Sequence, residues 1–305
     1  MNKLTVSVSP HIVNRVSTPV IMRDVIIALV PALVASVLVF GFRALLVTAV
    51  CVAVCVLSEW AFEKASNRTV TICDLSAIVT GMLLAFNLPV GIPIWQAIVG
   101  SLVAIVVVKQ LFGGIGQNFA NPAITARIVM LLAFSGTMTS WVFPDAVSTA
   151  TPLAVIASGD VSKLPSYLDM FLGKTGGCIG ETSALAILIG AIYLMIRRVI
   201  SWHTPIVFIA TVFVLTAALG QQPVAQILSG GLMLGAFFMA TDYATTPSTN
   251  WGRVIFGFGC GLITTLIRVW GNYPEGVSFS ILLMNILTPY ISIWTRSKPF
   301  GGVEA

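Results

Sequence analysis

Charged residues are scarce in this chain of 305 residues. They make up 9% of the sequence, against 57% hydrophobic residues, and the mean hydropathy is +0.98. Soluble domains carry a charge at about a quarter of their positions, so the composition excludes a soluble globular protein and an intrinsically disordered one. Apolar runs recur along the whole length, which excludes a soluble domain behind a single signal segment. The sequence therefore predicts an integral membrane protein.

Metal ligands and nucleotide-binding motifs are also lacking. The two histidines, His11 and His203, have no Cys or carboxylate at ligand spacing, and the five cysteines include no C-x-x-C pair. Cys51 and Cys55 share a helix face at i, i+4, where buried packing is favoured over a metal or cluster site. No G-x-G-x-x-G turn is present. We expect no metal site and no residue that is catalytic by itself.

Basic residues lie singly beside the apolar runs, which makes them markers of membrane topology rather than of nucleic-acid binding. The expected partner is the lipid bilayer. Because the runs are continuous and not alternating, helices are favoured over a barrel. About ten transmembrane helices are predicted, near 21–40, 44–60, 72–88, 94–112, 121–135, 182–200, 204–219, 227–241, 252–270 and 277–294.

The distribution of basic residues sets the orientation. One side holds Lys3, Arg15, Lys64, Arg68, Lys109, Arg197, Arg198, Arg253, Arg296 and Lys298, and the other holds Arg43, Lys163, Lys174 and Arg268. The positive-inside rule then places both termini in the cytoplasm and the long connection 136–181 outside, in a multi-pass protein of the inner (cytoplasmic) membrane.

An all-α fold of two inverted five-helix repeats is expected, because five spans precede and five follow the long connection. The units are 1–135, the outer loop 136–181, and 182–305. Leu75-Ser76 and Leu228-Ser229 open similar apolar runs, and the following spans end near Lys109 and Arg268. Pro- and Gly-rich interruptions near 87–93, 113–122 and 242–252 fit either broken helices that line a polar cavity or ordinary loop ends.

A hydroxyl-rich segment lies in the outer loop. Asp145, Ser148, Thr149 and Thr151 precede Pro152, an arrangement that often caps a short helix. The same residues resemble the D-x-x-[ST]-x-A-T signal of flavin transferases, which join FMN to the last threonine through its phosphate. By that match Thr151 is the acceptor. Thr149 is a second hydroxyl, and it stands as the alternative.

Further motifs extend the resemblance over nearly the whole chain. They are Ser9-Pro10-His11, Phe119-Ala120-Asn121-Pro122-Ala123, Gly176-Gly177-Cys178-Ile179-Gly180-Glu181-Thr182, Ala240-Thr241-Asp242-Tyr243 and Glu275-Gly276-Val277-Ser278-Phe279. With these motifs in this order, the chain resembles the family that contains the D subunit of the Rnf complex and the B subunit of the sodium-pumping NADH:quinone oxidoreductase.

The resemblance implies an electron-relay subunit with covalent FMN on Thr151 and a non-covalent riboflavin between the spans. It implies a complex that passes electrons between ferredoxin and NAD and moves Na⁺ or H⁺. The implied partners are the other Rnf subunits (A, B, C, E and G) and a flavin transferase. Without iron–sulfur or nucleotide motifs, the chain cannot perform this reaction alone. A small-solute channel without redox activity, and a purely structural subunit, are the alternatives.

Four ionisable residues lie at or inside the predicted membrane edges: Asp24, Asp74, Arg127 and Asp242. Charges within a membrane are costly and usually have a partner or face a water-filled site. An interfacial pair with Arg23 is the simplest explanation for Asp24, and Asp74 opens a span. We expect Arg127 and Asp242 to share one polar cavity on the cytoplasmic side, used for a second flavin or for ion entry.

Overall fold

The computed structural model describes residues 16–141, 151–158, 162, 164–271 and 276–296, and within these ranges it contains helices and no strand. Up to residue 141 the helices are α1 (Thr18–Phe40), α2 (Phe42–Ala65), α3 (Ser76–Phe86), α4 (Ile94–Leu102, continued by a π-helix Val103–Gln110), α5 (Pro122–Ala133) and α6 (Ser135–Met138). From residue 151 they are α7 (Pro152–Ala157), α8 (Tyr167–Leu172), α9 (Ala184–Ile196), α10 (His203–Ala218), α11 (Pro223–Leu228), α12 (Leu232–Leu234, continued by a π-helix Gly235–Met239), α13 (Asn250–Trp270) and α14 (Val277–Trp294).

Four of these helices, α1, α2, α13 and α14, are long and apolar enough to cross a membrane. Five more are apolar and shorter, namely α3, α4 with its π-helix, α5, α9 and α10. The prediction of an all-α membrane protein is confirmed. The predicted span 227–241 is divided: α11 ends at Leu228, and helix resumes at Leu232.

The interruption after α3 lies inside the protein. Asn87, Leu88 and Val90 are each at most 5% exposed, and the chain is not helical again until Ile94. An ordinary connection between spans would run over the surface, where water completes its hydrogen bonds. This burial favours the broken-helix interpretation for 87–93.

The two predicted halves pack directly on each other. Helix α1 contacts α9, and α5 contacts α14. At Gly190 of α9, any Cβ would collide with the Ala28 carbonyl oxygen of α1, so only glycine permits this approach. Close backbone contact at small residues is the usual way in which membrane helices associate.

Candidate functional site

Thr151 follows the segment 142–150 and begins helix α7. Its backbone is extended, with φ −63° and ψ 156°, and Pro152 occupies the first helical position. The Ala154 N–H donates to Thr151 Oγ1 at 3.3 Å. Because the oxygen is the acceptor, this bond leaves the hydroxyl hydrogen unused. The half-buried side chain therefore has the geometry of a helix cap and keeps a hydroxyl that can still be modified.

A small pocket of about 40 Å³ adjoins Thr151. Its walls come from the start of α7, from the loop that precedes α9, and from the interruption after α11. Glu181 and Thr182 form one side, and Ser229 and Gly230 form another. Segments that are distant in the sequence thus meet around the residue that the flavin-transferase motif singles out.

Behind this pocket lies a buried cluster centred on Arg127. Its guanidinium is 3.5 Å from the Glu181 carboxylate and donates to Asn87 Oδ1 at 3.1 Å and to Ser278 Oγ at 2.9 Å. The Arg127 and Glu181 side chains are only 4% and 6% exposed. Cys178 Sγ donates to the Asn87 carbonyl oxygen at 3.2 Å. The cluster therefore joins α5, α14, the loop before α9 and the interruption after α3.

Arg268, near the end of α13, bonds to the backbone at the interruption after α11. Its guanidinium donates to the carbonyl oxygens of Gln226 at 2.5 Å, Ser229 at 3.1 Å and Gly230 at 3.2 Å. The last carbonyls of a helix have no partner within that helix. Arg268, itself buried, supplies the donors for them and fixes the pocket wall at Ser229 and Gly230.

A larger cavity of about 370 Å³ lies on the predicted cytoplasmic side. Apolar residues of α1, α3 and the π-helix 235–239 contribute to its wall, and its polar residues include Ser76, Lys109, Asn118, Asn121 and Asp242. Its volume lies within the range of small-molecule sites, about 300–1,000 Å³. A mostly apolar wall with a few polar groups is also typical of such sites.

Lys109 connects this cavity to a buried ion pair. Its Nζ contacts both Glu59 carboxylate oxygens, at 2.7 and 2.9 Å, and donates to Ser76 Oγ at 2.6 Å. The Gln110 amide also donates to Glu59, at 2.8 Å. Both members of the pair are almost inaccessible, with 4% and 0% of their side chains exposed.

Comparison with known proteins identifies the family. The model of the NQR2, RnfD, RnfE family matches residues 5–301. The chain belongs to this family. Two similar relatives are the D subunits of the Na(+)-translocating ferredoxin:NAD(+) oxidoreductase complex of Acetobacterium woodii (51% identical, covering 98% of this chain and 95% of the relative) and of the proton-translocating ferredoxin:NAD(+) oxidoreductase complex of Clostridium ljungdahlii (42%, covering 98% and 97%). The D subunit of the ion-translocating oxidoreductase complex of Stutzerimonas stutzeri is 38% identical, covering 94% and 93%.

Of the predicted attachment residues in this family member, Thr151 is described by the structure and Asp145, Ser148 and Thr149 lie outside the described residues. Thr151 meets Glu181 and Thr182 of the Gly176–Thr182 motif around one pocket. No pattern in the sequence indicated that meeting. Within the described ranges, no group of three or more His, Cys, Asp or Glu residues could hold a metal ion.

The expectation of one shared cavity for Arg127 and Asp242 is wrong. Asp242 lines the larger cavity, with Thr245 Oγ1 donating to its carboxylate at 3.1 Å, whereas Arg127 is absent from that lining. The long Arg127 side chain instead reaches the Glu181 carboxylate, which comes from the loop before α9. A buried guanidinium needs a negatively charged partner, and the position of Arg127 in the sequence could not identify Glu181 as that partner.

Asp24 also has a different partner from the expected Arg23. Arg197 donates to its carboxylate at 3.0 and 3.1 Å, and the Tyr193 hydroxyl donates at 3.2 Å. Both partners lie at the end of α9, so this pair joins α1 to α9. Asp74 lies two residues before α3, near the start of the predicted span, and its Oδ1 accepts from the Ser76 N–H at 2.8 Å.

Glu59 was not singled out from the sequence. The signal was present, because Glu59 is an isolated acid at the end of a predicted span, and such a residue needs a partner. Lys109, the basic residue near the end of another span, was the available candidate. Which spans are neighbours was the missing information.

Replacing Lys109 with Met should lower the free energy of unfolding by about 3–5 kcal/mol, because Glu59 would remain buried without its counter-charge. The double variant Lys109→Met, Glu59→Gln should recover most of this loss, since both charges are gone. Thermal unfolding of the purified chain in detergent measures both effects. Lys64→Met, at an exposed lysine, is the matched control. A double variant no more stable than Lys109→Met would contradict the interpretation.

Proposed function

We propose that this chain is an electron-relay membrane subunit of an ion-translocating ferredoxin:NAD oxidoreductase complex and carries FMN joined covalently to Thr151. The observation that carries the proposal is its similarity, over 98% of its length, to two relatives named as the D subunits of such complexes. As a single subunit it would not catalyse the whole reaction. The other subunits of the complex would bind the ferredoxin and the NAD.

The surroundings of Thr151 support attachment at this residue. Its hydroxyl lies at the edge of the small pocket and is half-buried, so a modifying enzyme can reach it from one side. The pocket of about 40 Å³ is far smaller than a small-molecule site. It can surround the attachment point but not a flavin ring. A covalent bond would then do what the pocket cannot, because it retains the flavin without requiring a large binding site.

The residues of the chain would have distinct tasks towards the flavin. Thr151 would supply the ester oxygen, and Pro152 sets the extended backbone before it. Arg268 would keep the pocket wall in place through the carbonyls of Ser229 and Gly230. When bound, FMN would supply one-electron and two-electron chemistry that no side chain offers.

The larger cavity supports a second, non-covalent flavin, for which riboflavin is our proposal. Its volume of about 370 Å³ fits a small molecule, and its lining includes the polar residues Asn118, Asn121, Lys109 and Asp242. This cavity lies on the predicted cytoplasmic side, and the Thr151 pocket lies on the predicted outer side. Two flavins so placed would let electrons cross the membrane in more than one step.

We expect Thr151→Ala to abolish the flavin fluorescence that remains with the chain after denaturing electrophoresis, because the ester oxygen is lost. The chain should still reach the membrane, since losing a helix cap costs about 0.5–2 kcal/mol. Thr182→Val, a change at another threonine of the same pocket, is the matched control and should keep the fluorescence.

Cells that contain an active flavin transferase are needed for this measurement. If fluorescence persists in Thr151→Ala and is lost in Thr149→Ala, the acceptor is Thr149. If the unaltered chain carries no flavin at all, the small-solute channel or structural alternative replaces the relay.

Asp242→Asn should impair electron transfer or ion coupling in the assembled complex and leave the flavin on Thr151 in place. The amide keeps the size of the side chain and removes the negative charge from the cavity wall. Asp169→Asn, on α8 at the predicted outer side, is the control. Normal electron transfer, ion coupling and flavin content in Asp242→Asn would show that Asp242 serves only as a helix-end cap.

Cysteine labelling tests the orientation. Cys73 is the exposed cysteine of the five, so Cys73→Ser provides the background. A membrane-impermeant maleimide added to intact cells should label Lys174→Cys and not Arg198→Cys, both at exposed positions. The reverse pattern would place the Thr151 loop in the cytoplasm.

A further inference from the structure

Glu181 has two neighbours with different roles. Its side chain forms part of the pocket that contains Thr151, and its carboxylate lies 3.5 Å from the Arg127 guanidinium. Gly231 leaves the room that the carboxylate occupies, because any Cβ there would collide with it. The negative member of a buried ion pair therefore comes from a residue that lines the same pocket as the proposed flavin attachment residue, and the positive member contacts it.

The loop that carries Glu181 is fixed to the centre of the protein. The Ile179 N–H donates to the Leu88 carbonyl oxygen at 3.0 Å, and the Gly180 N–H donates to that of Phe86 at 2.9 Å. Gly180 is packed so closely on the Phe86 ring that a Cβ would overlap it. Arg127 is held from the other side by Asn87 and Ser278. Neither charge can move far when its partner is changed.

We propose that Glu181 and Arg127 are positioning residues that set the reduction potential of the flavin on Thr151. Arg127 acts through Glu181, because its positive charge opposes the field of the carboxylate in the pocket wall. This inference rests on the proposed attachment of FMN to Thr151 and adds an electrostatic role for two residues that do not bind the flavin covalently.

The physical basis is the difference in charge between the two redox forms of the flavin. The reduced ring carries more negative charge than the oxidised ring at neutral pH. A net positive wall would therefore favour reduction, and a net negative wall would oppose it. Buried charges are screened by salt much less than exposed ones, so the effect should extend beyond direct contact.

Neutralising Glu181 and Arg127 in separate variants distinguishes an electrostatic effect from structural damage. Both variants lose the same ion pair, but each retains a charge of opposite sign. Glu181→Gln leaves the charge of Arg127, which cannot be deprotonated in proteins. This variant should raise the potential. Arg127→Gln removes the positive charge that lies 3.5 Å from the Glu181 carboxylate. Its potential should fall or stay the same, and should not rise.

The experiment is a redox titration of the covalent flavin in the full chain, purified from cells with an active flavin transferase. At a fixed applied potential, Glu181→Gln should raise the ratio of reduced to oxidised flavin about tenfold, which is about 30 mV for a two-electron couple. The double variant Glu181→Gln, Arg127→Gln should return to the unaltered value, and Arg127→Lys should stay there. Arg198→Gln, at an exposed arginine on the predicted cytoplasmic side, is the control and should not shift.

Shifts of the same sign in both single variants, or a double variant that keeps the shift of Glu181→Gln, would overturn the inference and leave the proposed attachment intact. If Arg127→Gln does not fold, the comparison of Glu181→Gln with the double variant still decides between the outcomes. An unaltered chain without covalent flavin would overturn the proposed attachment, and this inference with it.

Discussion

Broken helices inside a membrane need hydrogen-bond partners where water cannot supply them, and in this protein buried basic side chains from other helices bond to the residues at the breaks. Three interruptions or helix starts receive a basic side chain from another helix. Arg268 donates to the carbonyls after α11, Arg127 reaches Asn87 after α3, and Lys109 bonds to Ser76 at the start of α3. Each unsatisfied group would cost several kcal/mol in hydrocarbon. Of the residues that these side chains bond, Ser76 borders the larger cavity, and Ser229 and Gly230 border the Thr151 pocket.

Two of these contacts resemble each other in a way that bears on the predicted inverted repeats. Lys109, near the end of the π-helix after α4, bonds to Ser76; Arg268, near the end of α13, bonds to Ser229. The sequence pairs the same residues, because Leu75-Ser76 and Leu228-Ser229 open similar apolar runs. The partners differ: Lys109 has Glu59 as a counter-charge, whereas Arg268 bonds to carbonyl oxygens. One half thus has an ion pair beside the larger cavity, and the other has a guanidinium bonded to carbonyl oxygens beside the Thr151 pocket. The inverted arrangement itself remains a prediction.

Most helix positions could be predicted from the sequence, and the contacts between them could not. The predicted span 277–294 coincides with α14, and 252–270 with nearly all of α13, because a membrane span depends only on local hydropathy. The partner of Asp24 was predicted incorrectly as Arg23, and the partner of Arg127 was not predicted at all. An ion pair depends on which helices are neighbours, and a single sequence contains no direct signal for that. Thr151 was the exception, because its motif is local in the chain.

The position of the Arg127 cluster also constrains how the two halves of the proposed relay can communicate. On one side it reaches the Thr151 pocket through Glu181. On the other it reaches Asn87, whose amide lies 3.6 Å from Met239 Sδ, and the Met239 carbonyl accepts from Asn121 at 3.5 Å. Asn121 lines the larger cavity. Contacts between buried residues therefore link the outer pocket to the inner cavity through Asn87, Met239 and Asn121. Because buried charges are screened much less than exposed ones, a change of charge at a flavin of the proposed relay would shift the electrostatic potential at Arg127 more than at an exposed group at the same distance.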